Sequence, residues 1–377
     1  MASDRHGLIL EKMRRAIQRT GRFAARKWLL NRPFSKTATS RLLLVTIDER
    51  IPQSQIYPFH FYADALRRQY GTEIREVSIE EYERGNSPAP RDATTVCFQT
   101  QFHTPRDELI AIVERLKQQN PEARIVYLDW FAPTDLRLAD ALDPHIAIYV
   151  KKHVLRDRSL YGQPTLGDTN LVDHFSKRFG IAEETRLFPI PPGFLDKLHI
   201  GPSFVTADFM LHRFLGASPV VGEKPIDVHA RLGVKGTPWY QAMRTECIDA
   251  LGTIADLNVA TGGNLGHVAY LQELQASKVC FSPFGYGEVC WRDYEAIMSG
   301  SVLLKPDMSH IETDPDIFVP GKTYVPLRWD LADFEEKVRE LVGTPSLREE
   351  IANNAFTALH DYVTSERFVT QMRPLIA

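Results

Sequence analysis

Twice along this chain, short apolar runs of β-forming residues alternate with helix-like stretches, and that rhythm restricts the fold to a parallel α/β architecture. Residues 41–47 (RLLLVTI) are almost wholly apolar, as in a strand covered on both faces. The spacing predicts a helix at 59–69, strands at 73–77 and 94–99, a helix at 105–119, and strands at 124–128 and 145–150. A second series begins at 226–230 and continues with a helix at 238–251, a strand at 257–261 and a helix at 266–276. A strand at 278–282, a helix at 289–299 and a strand at 301–305 follow, and then helices at 331–342, 346–362 and 365–375. Between the two series, residues 188–225 are rich in proline and read as a linker.

The expected organisation is a basic extension over 1–40, a Rossmann-like domain over 41–190, a linker over 191–225, a second Rossmann-like domain over 226–362 and a terminal helix over 363–377. In open parallel sheets, ligands sit beyond the C-terminal strand ends. Two such edges facing across a cleft make a site for two substrates.

Several classes are excluded. No apolar run approaches the roughly 20 residues of a membrane-spanning helix, and no secretory signal is visible. Four scattered cysteines, without a CxxC pair, fit a reducing compartment and argue against a disulfide or zinc scaffold. A cytoplasmic protein is therefore expected. Residues 1–40 carry ten Lys/Arg against two Asp/Glu, whereas the rest carries 35 against 46. The body is mildly acidic and unlike a nucleic-acid binder. Residues 7–30 read as a basic amphipathic helix, which either docks on the body or lies peripherally on an anionic membrane. There is no GxxxxGK[ST] loop, no GxGxxG after the first strand, no GxSxG and no HExxH.

The richest segment is 281–305, FSPFGYGEVCWRDYEAIMSGSVLLK. Gly285, Tyr286 and Gly287 follow a strand, and such glycines allow close approach of backbone to a ligand. A helix is expected to begin near Glu288 or Val289, and its first N–H groups favour an anion. Arg292 offers a planar fork for phosphate. Glu295, seven positions after Glu288, is expected on the same helix face. Phosphate suits the N–H groups and the cation, and ribose hydroxyls suit a carboxylate.

This run resembles the donor-site segment of GT-B glycosyltransferases, in the group-1, family-4-like and exostosin-like set. The matching features are Pro283–Gly287, Glu288, Glu295-Ala296, Gly300 and the apolar strand 302–304. The interval between the two glutamates is one residue shorter than usual for that set, and Arg292 before Glu295-Ala296 is closer to the exostosin-like variant. The resemblance covers about residues 225–345. It implies a metal-independent transferase that uses a nucleotide-sugar as co-substrate and holds no cofactor. Glu295 takes the donor ribose, and Glu288 lies near the donor sugar or its phosphates. The acceptor is a glycan or lipid-linked hydroxyl, in polysaccharide or glycoconjugate assembly. A GT-B-like epimerase or phosphorylase, or a non-catalytic nucleotide-binding or assembly module, are the alternatives.

Other candidates sit at expected strand ends. His229 and Arg231 follow the first strand of the second series. Arg231, assisted by Lys235 or Arg244, would neutralise a leaving diphosphate; alternatively it pairs with a nearby acid, and His229 is a core histidine. Gly262-Gly263-Asn264 either turns the chain or approaches the base. Lys305 lines the site or is solvated. In the first half, Asp129, His103 and Asp48 are candidates for a general base, near Glu49, Arg50, Gln101, Trp130 and Asp135. Lys151, Lys152, Arg156 and Arg158 form a basic cluster that is either a solvated face or a receiver for an anionic acceptor. Asp314-Pro315-Asp316 matches a DxD pattern, although its central proline argues against a metal role.

Overall fold

The structure is a computed structural model that describes residues 28–30, 32–84, 89–216, 218–219, 222–263 and 265–376. Most of the expected N-terminal helix and Asn264 therefore lie outside the described residues.

Two parallel sheets form the frame. The first contains β1 (Ser40–Thr46), β2 (Thr72–Ser78), β3 (Thr95–Phe98), β4 (Arg124–Asp129) and β5 (Ile148–Lys151). The chain continues through β6 (His153–Leu155), β7 (Thr165–Leu166) and β8 (Thr185–Arg186) to β9 (Leu198–Ile200), which completes the first sheet in the order β2-β1-β3-β4-β5-β9. The second contains β10 (Ile226–His229), β11 (Val259–Ala260), β12 (Ser277–Phe281) and β13 (Val302–Pro306). After β14 (Ile311–Thr313) it ends with β15 (Val325–Leu327), in the order β11-β10-β12-β13-β15. The central strands are buried on both faces: Leu42, Leu43, Leu44 and Val45 of β1 and Val302, Leu303 and Leu304 of β13 are at most 1% exposed.

Boundaries differ from the sequence reading where proline or polar capping intervenes. The expected helix 59–69 is two helices, Gln53–Phe61 and Ala63–Tyr70. Pro52 precedes the first turn, where a missing N–H costs nothing, and Pro58 is accommodated inside the first helix. The terminal helix is likewise two short pieces, Arg367–Gln371 and Arg373–Ile376. Glu366 has φ +54°, so it turns the chain sharply after the helix Pro345–Thr364.

Two of the ties between the halves are a strand pairing and an apolar return of the chain. First, β6 and β14 pair antiparallel, so an element that follows the first sheet hydrogen-bonds to one that follows β13. Second, the C-terminal segment returns to the first half. Phe368 packs edge-on against Phe59 at 5.0 Å and stacks on Tyr62 at 5.5 Å. The Tyr62 hydroxyl donates to the Val363 carbonyl, and Thr95 donates to Leu375. A single apolar cluster accordingly contains residues of both sheets and of the last helices.

This return is a structural strut. Phe368 is fully buried, and Phe368→Ala is expected to lower unfolding free energy by about 3–5 kcal/mol. Urea denaturation checks it; a loss below about 1 kcal/mol would place the tail outside the core.

Candidate functional site

The C-terminal edge of the second sheet carries the polar cluster that the sequence singles out. Its centre is the loop after β12 and the helix Trp291–Met298. This helix starts at Trp291, two or three residues later than expected, because a capping box fixes its beginning. The Cys290 N–H donates to Asp293 Oδ2 at 2.8 Å. Glu288 consequently lies in the loop before the helix and does not share a helix face with Glu295, which corrects that expectation.

Asp293 anchors the helix as well as capping it. Its Oδ1 accepts from Ser282 at 2.6 Å and from Lys305 Nζ at 3.2 Å. Lys305 is fully buried. It is enclosed beneath the helix and paired with Asp293, so it offers no free cation at the ligand-facing surface.

Glu295 is the available carboxylate. It is 6% exposed, and its Oε1 lies 3.4 Å from His267 Nε2, its one hydrogen-bond partner among the described residues. Arg292, in the first helical turn, donates through Nη2 to the Arg231 carbonyl at 2.6 Å. Its buried Nε has no partner among the described residues. An open carboxylate and an unspent guanidinium N–H thus sit on one helix beside a glycine loop. Tyr286 stacks on Tyr240 with ring centroids 4.7 Å apart, and its hydroxyl accepts from the Thr237 N–H. Gly285 closes the loop by donating to the Gly287 carbonyl.

Arg231 has the acid partner that the sequence left as one alternative. Its Nε and Nη2 bind Glu273 in bidentate fashion at 2.6 and 2.8 Å, and Nη1 donates to the Gly263 carbonyl. His229 is fully buried, 3.1 Å from Glu273 and edge-on to Tyr270. Burial and the nearby Arg292 push its imidazole down to about 4. Of the suggested helpers, Lys235 is exposed. Arg244 is buried, with its guanidinium 5.0 Å from the Tyr240 ring.

Glu288 does something the sequence did not suggest. Its carboxylate is fully enclosed and accepts from Thr134 Oγ1 at 2.5 Å and from Asn170 Nδ2 at 2.8 Å. His153 and His310 approach it at 3.4 and 3.6 Å. Thr134, His153 and Asn170 all lie between β4 and β9, so the loop of one half is bonded to the other. Burial works against the charge. The two imidazoles and the hydrogen bonds outweigh burial and hold the carboxyl well below its usual range. Gly287 belongs to the same contact, since a Cβ there would overlap the Ala132 carbonyl.

On the first sheet, Asp129 is enclosed. It accepts from Tyr149 at 2.6 Å, from Lys151 Nζ at 2.7 Å and from the Phe131 N–H at 2.8 Å. Its oxygens serve the interior rather than an acceptor hydroxyl. His103 is exposed and packs edge-on against Phe102. Asp48 and Glu49 are exposed, with Gln101 donating to Glu49. Trp130 donates to the Thr100 carbonyl, and Asp135 pairs with Arg137. Of the basic cluster, Arg156 donates to the carbonyls of Ser309 and Ile311, and Arg158 pairs with Glu312. Asp314 binds Arg367 and Gln371, while Asp316 caps the Phe318 N–H. Among the described residues no group of three or more His, Cys, Asp or Glu is arranged to hold a metal ion, and no helix is long and apolar enough to cross a membrane.

Glu273, Tyr270, Asn170, His153 and His310 escaped the sequence reading, since the partner of each is distant in the chain. Asp293 carried a signal: an acid three residues after the N-cap, here Cys290, is the capping-box position.

The histidines set the acid stability. Burial lowers the affinity of His153, His174, His199 and His229 for protons. The unfolded chain therefore binds more protons below the ordinary histidine value, and stability falls as pH drops from about 6.5 toward 4. Glu288 adds a further loss below the ordinary carboxylate range. The urea midpoint is expected to be clearly lower at pH 5 than at pH 7.5; equal midpoints would refute the neutral histidines. Glu288→Ala, which strips a buried charge from its donors, is expected to cost about 3–5 kcal/mol at pH 7.5 by the same assay.

Residues 221–373 match the model of the family described as glycosyl transferase-like. No curated protein matches the sequence significantly. Among solved structures, a glycosyltransferase from Rickettsia africae ESF-5 superposes with a TM-score of 0.50 at 10% identity, covering 89% of this chain and 98% of that one. An alpha-glucosyltransferase in complex with UDP-glucose and DNA containing an abasic site gives 0.49 at 8% identity, covering 88% and 98%. S. aureus TarM, as a mutant in complex with Fondaparinux, alpha-GlcNAc-glycerol and UDP, gives 0.44 at 10% identity. There 74% of this chain is covered, and it spans only 55% of the TarM chain. The chain thus has the GT-B fold, two Rossmann-like units whose C-terminal strand ends face each other, and residues 221–373 are similar to a glycosyl transferase-like family.

Proposed function

We propose that this protein transfers a glycosyl group from a nucleotide-sugar donor, bound at the C-terminal edge of the second sheet, to a hydroxyl acceptor presented by the first half. The observation that carries this reading is Glu295. A carboxylate 6% exposed, with a single imidazole partner, lies on the helix that follows a glycine loop. Ribose hydroxyls would satisfy it, since each donates one hydrogen bond to a carboxylate oxygen. The match of residues 221–373 to a glycosyl transferase-like family supports the same assignment.

The leaving diphosphate would be met by Arg292 and by N–H groups at the start of the helix Trp291–Met298. Arg231 would join them only by giving up part of its bidentate contact with Glu273. Its first role in this reading is to hold the floor of the site between β10 and the helix His267–Gln275. Glu288 would act by keeping the donor loop against the first half, which excludes water from the reacting bond. The reaction would need no metal ion. Its product would belong to polysaccharide or glycoconjugate assembly.

Thermal unfolding with UDP, GDP, ADP, TDP and CMP tests the reading. A ligand at a hundred times its dissociation constant adds about 2.7 kcal/mol. One nucleotide is expected to raise the melting temperature of the wild type by a few degrees, without EDTA sensitivity, and to leave Glu295→Ala unshifted. No response to any nucleotide at millimolar concentration would overturn the donor site.

A further inference from the structure

Two adjacent lysines at the end of β5 lie beside one carboxylate, Asp129 at the end of the neighbouring strand β4. Asp129 is taken by Lys151 at 2.7 Å. Lys152 is left over: it is 1% exposed, and among the described residues its Nζ makes no hydrogen bond or ion pair. Its contact is the ring of Phe204, 4.4 Å away. An unmatched ammonium at such depth is costly. The charged residues about it are Asp129 and Lys151, with His153 next along the chain, and burial dominates them, lowering the amine to about 7.

What lies beyond Phe204 points to a use. Phe204 stacks on Trp291 with centroids 4.0 Å apart, and Trp291 is the first residue of the donor helix. On the same aromatic group, Arg50 from the loop after β1 lies 4.9 Å from Trp291 and 4.5 Å from Phe209. Arg50 is exposed. Two cations of the first half therefore border one aromatic group that includes the first residue of the helix Trp291–Met298, and one of them is deeply buried with no hydrogen bond or ion pair among the described residues.

We propose that Lys152 receives an oxyanion, a phosphate or a carboxylate, carried into the cleft by a substrate. The inference rests on the transferase reading for which substrate brings the anion, but not for the anion site itself. Because Lys152 belongs to the half assigned to the acceptor, an anionic acceptor is the expected source; the donor diphosphate is the other.

Sulfate, whose charge is constant across the range, is the probe. Its binding to the full chain is measured at pH 6.5 and pH 8.5 by calorimetry at constant ionic strength, with and without UDP. Wild-type affinity is expected to fall roughly twenty-fold over that interval, as the amine loses its proton. Lys152→Met should bind at least tenfold more weakly at pH 6.5, with a melting temperature no lower than wild type. Lys152→Arg should restore binding and abolish the pH dependence. Sulfate that still binds beside UDP assigns the anion to the acceptor, whereas competition assigns it to the donor. If Lys152→Met binds sulfate as the wild type does and the pH profile is flat, or if the wild type takes up no sulfate at tens of millimolar, the proposal is overturned. Sulfate binding at Lys152 with no nucleotide binding would keep the anion site and remove the donor reading instead.

Discussion

One buried carboxylate pins the loop after β12 to the first half of this molecule. Glu288 leaves the second sheet on a loop and finds its hydrogen bonds on the first half, at Thr134 and Asn170. A carboxylate out of water is tolerated only when its oxygens are satisfied. The loop therefore cannot separate from the first half without exposing the group or leaving it unpaired. Gly287 permits the approach, since any side chain would meet the Ala132 carbonyl. The positions of Tyr286, Arg292 and Glu295 follow from where this loop is pinned.

The polar cluster at the C-terminal edge of the second sheet is built in tiers. At the base, Asp293 joins the helix start, Ser282 and Lys305, so the helix cannot rotate about its axis. Above it, Glu273 gathers Arg231 and His229 at the end of β10. At the top, Glu295 and the Arg292 Nε remain with spare hydrogen-bonding capacity. Charges that are spent support those that are not, which is how a polar site is held in geometry before its ligand arrives.

Most of the frame was legible from the chain. The runs at 41–47 and 301–305 could only be strands covered on both faces, and their alternation with helices implied parallel order. Glu295, Arg292 and the glycine loop could be grouped from the chain because they lie within a dozen residues of each other. The roles of Arg231, Lys305 and Asp129 were not legible, because each is decided by a partner far away in the chain or on a neighbouring strand. Arg231 is taken by Glu273, Lys305 by Asp293 and Asp129 by Lys151. The same is true of the basic cluster after β5, where only Lys152 is left without a hydrogen bond or ion pair among the described residues.

The sequence by itself determined the two parallel sheets, the glycine loop with its helix and the identity of the carboxylate on that helix. These depend on hydrophobic period, turn chemistry and capping, which act over a few residues. Only the tertiary structure decided which charges are free. Pairing is settled by distance in space, and an ion buried beside a partner differs from an identical ion without one by the solvation it has lost.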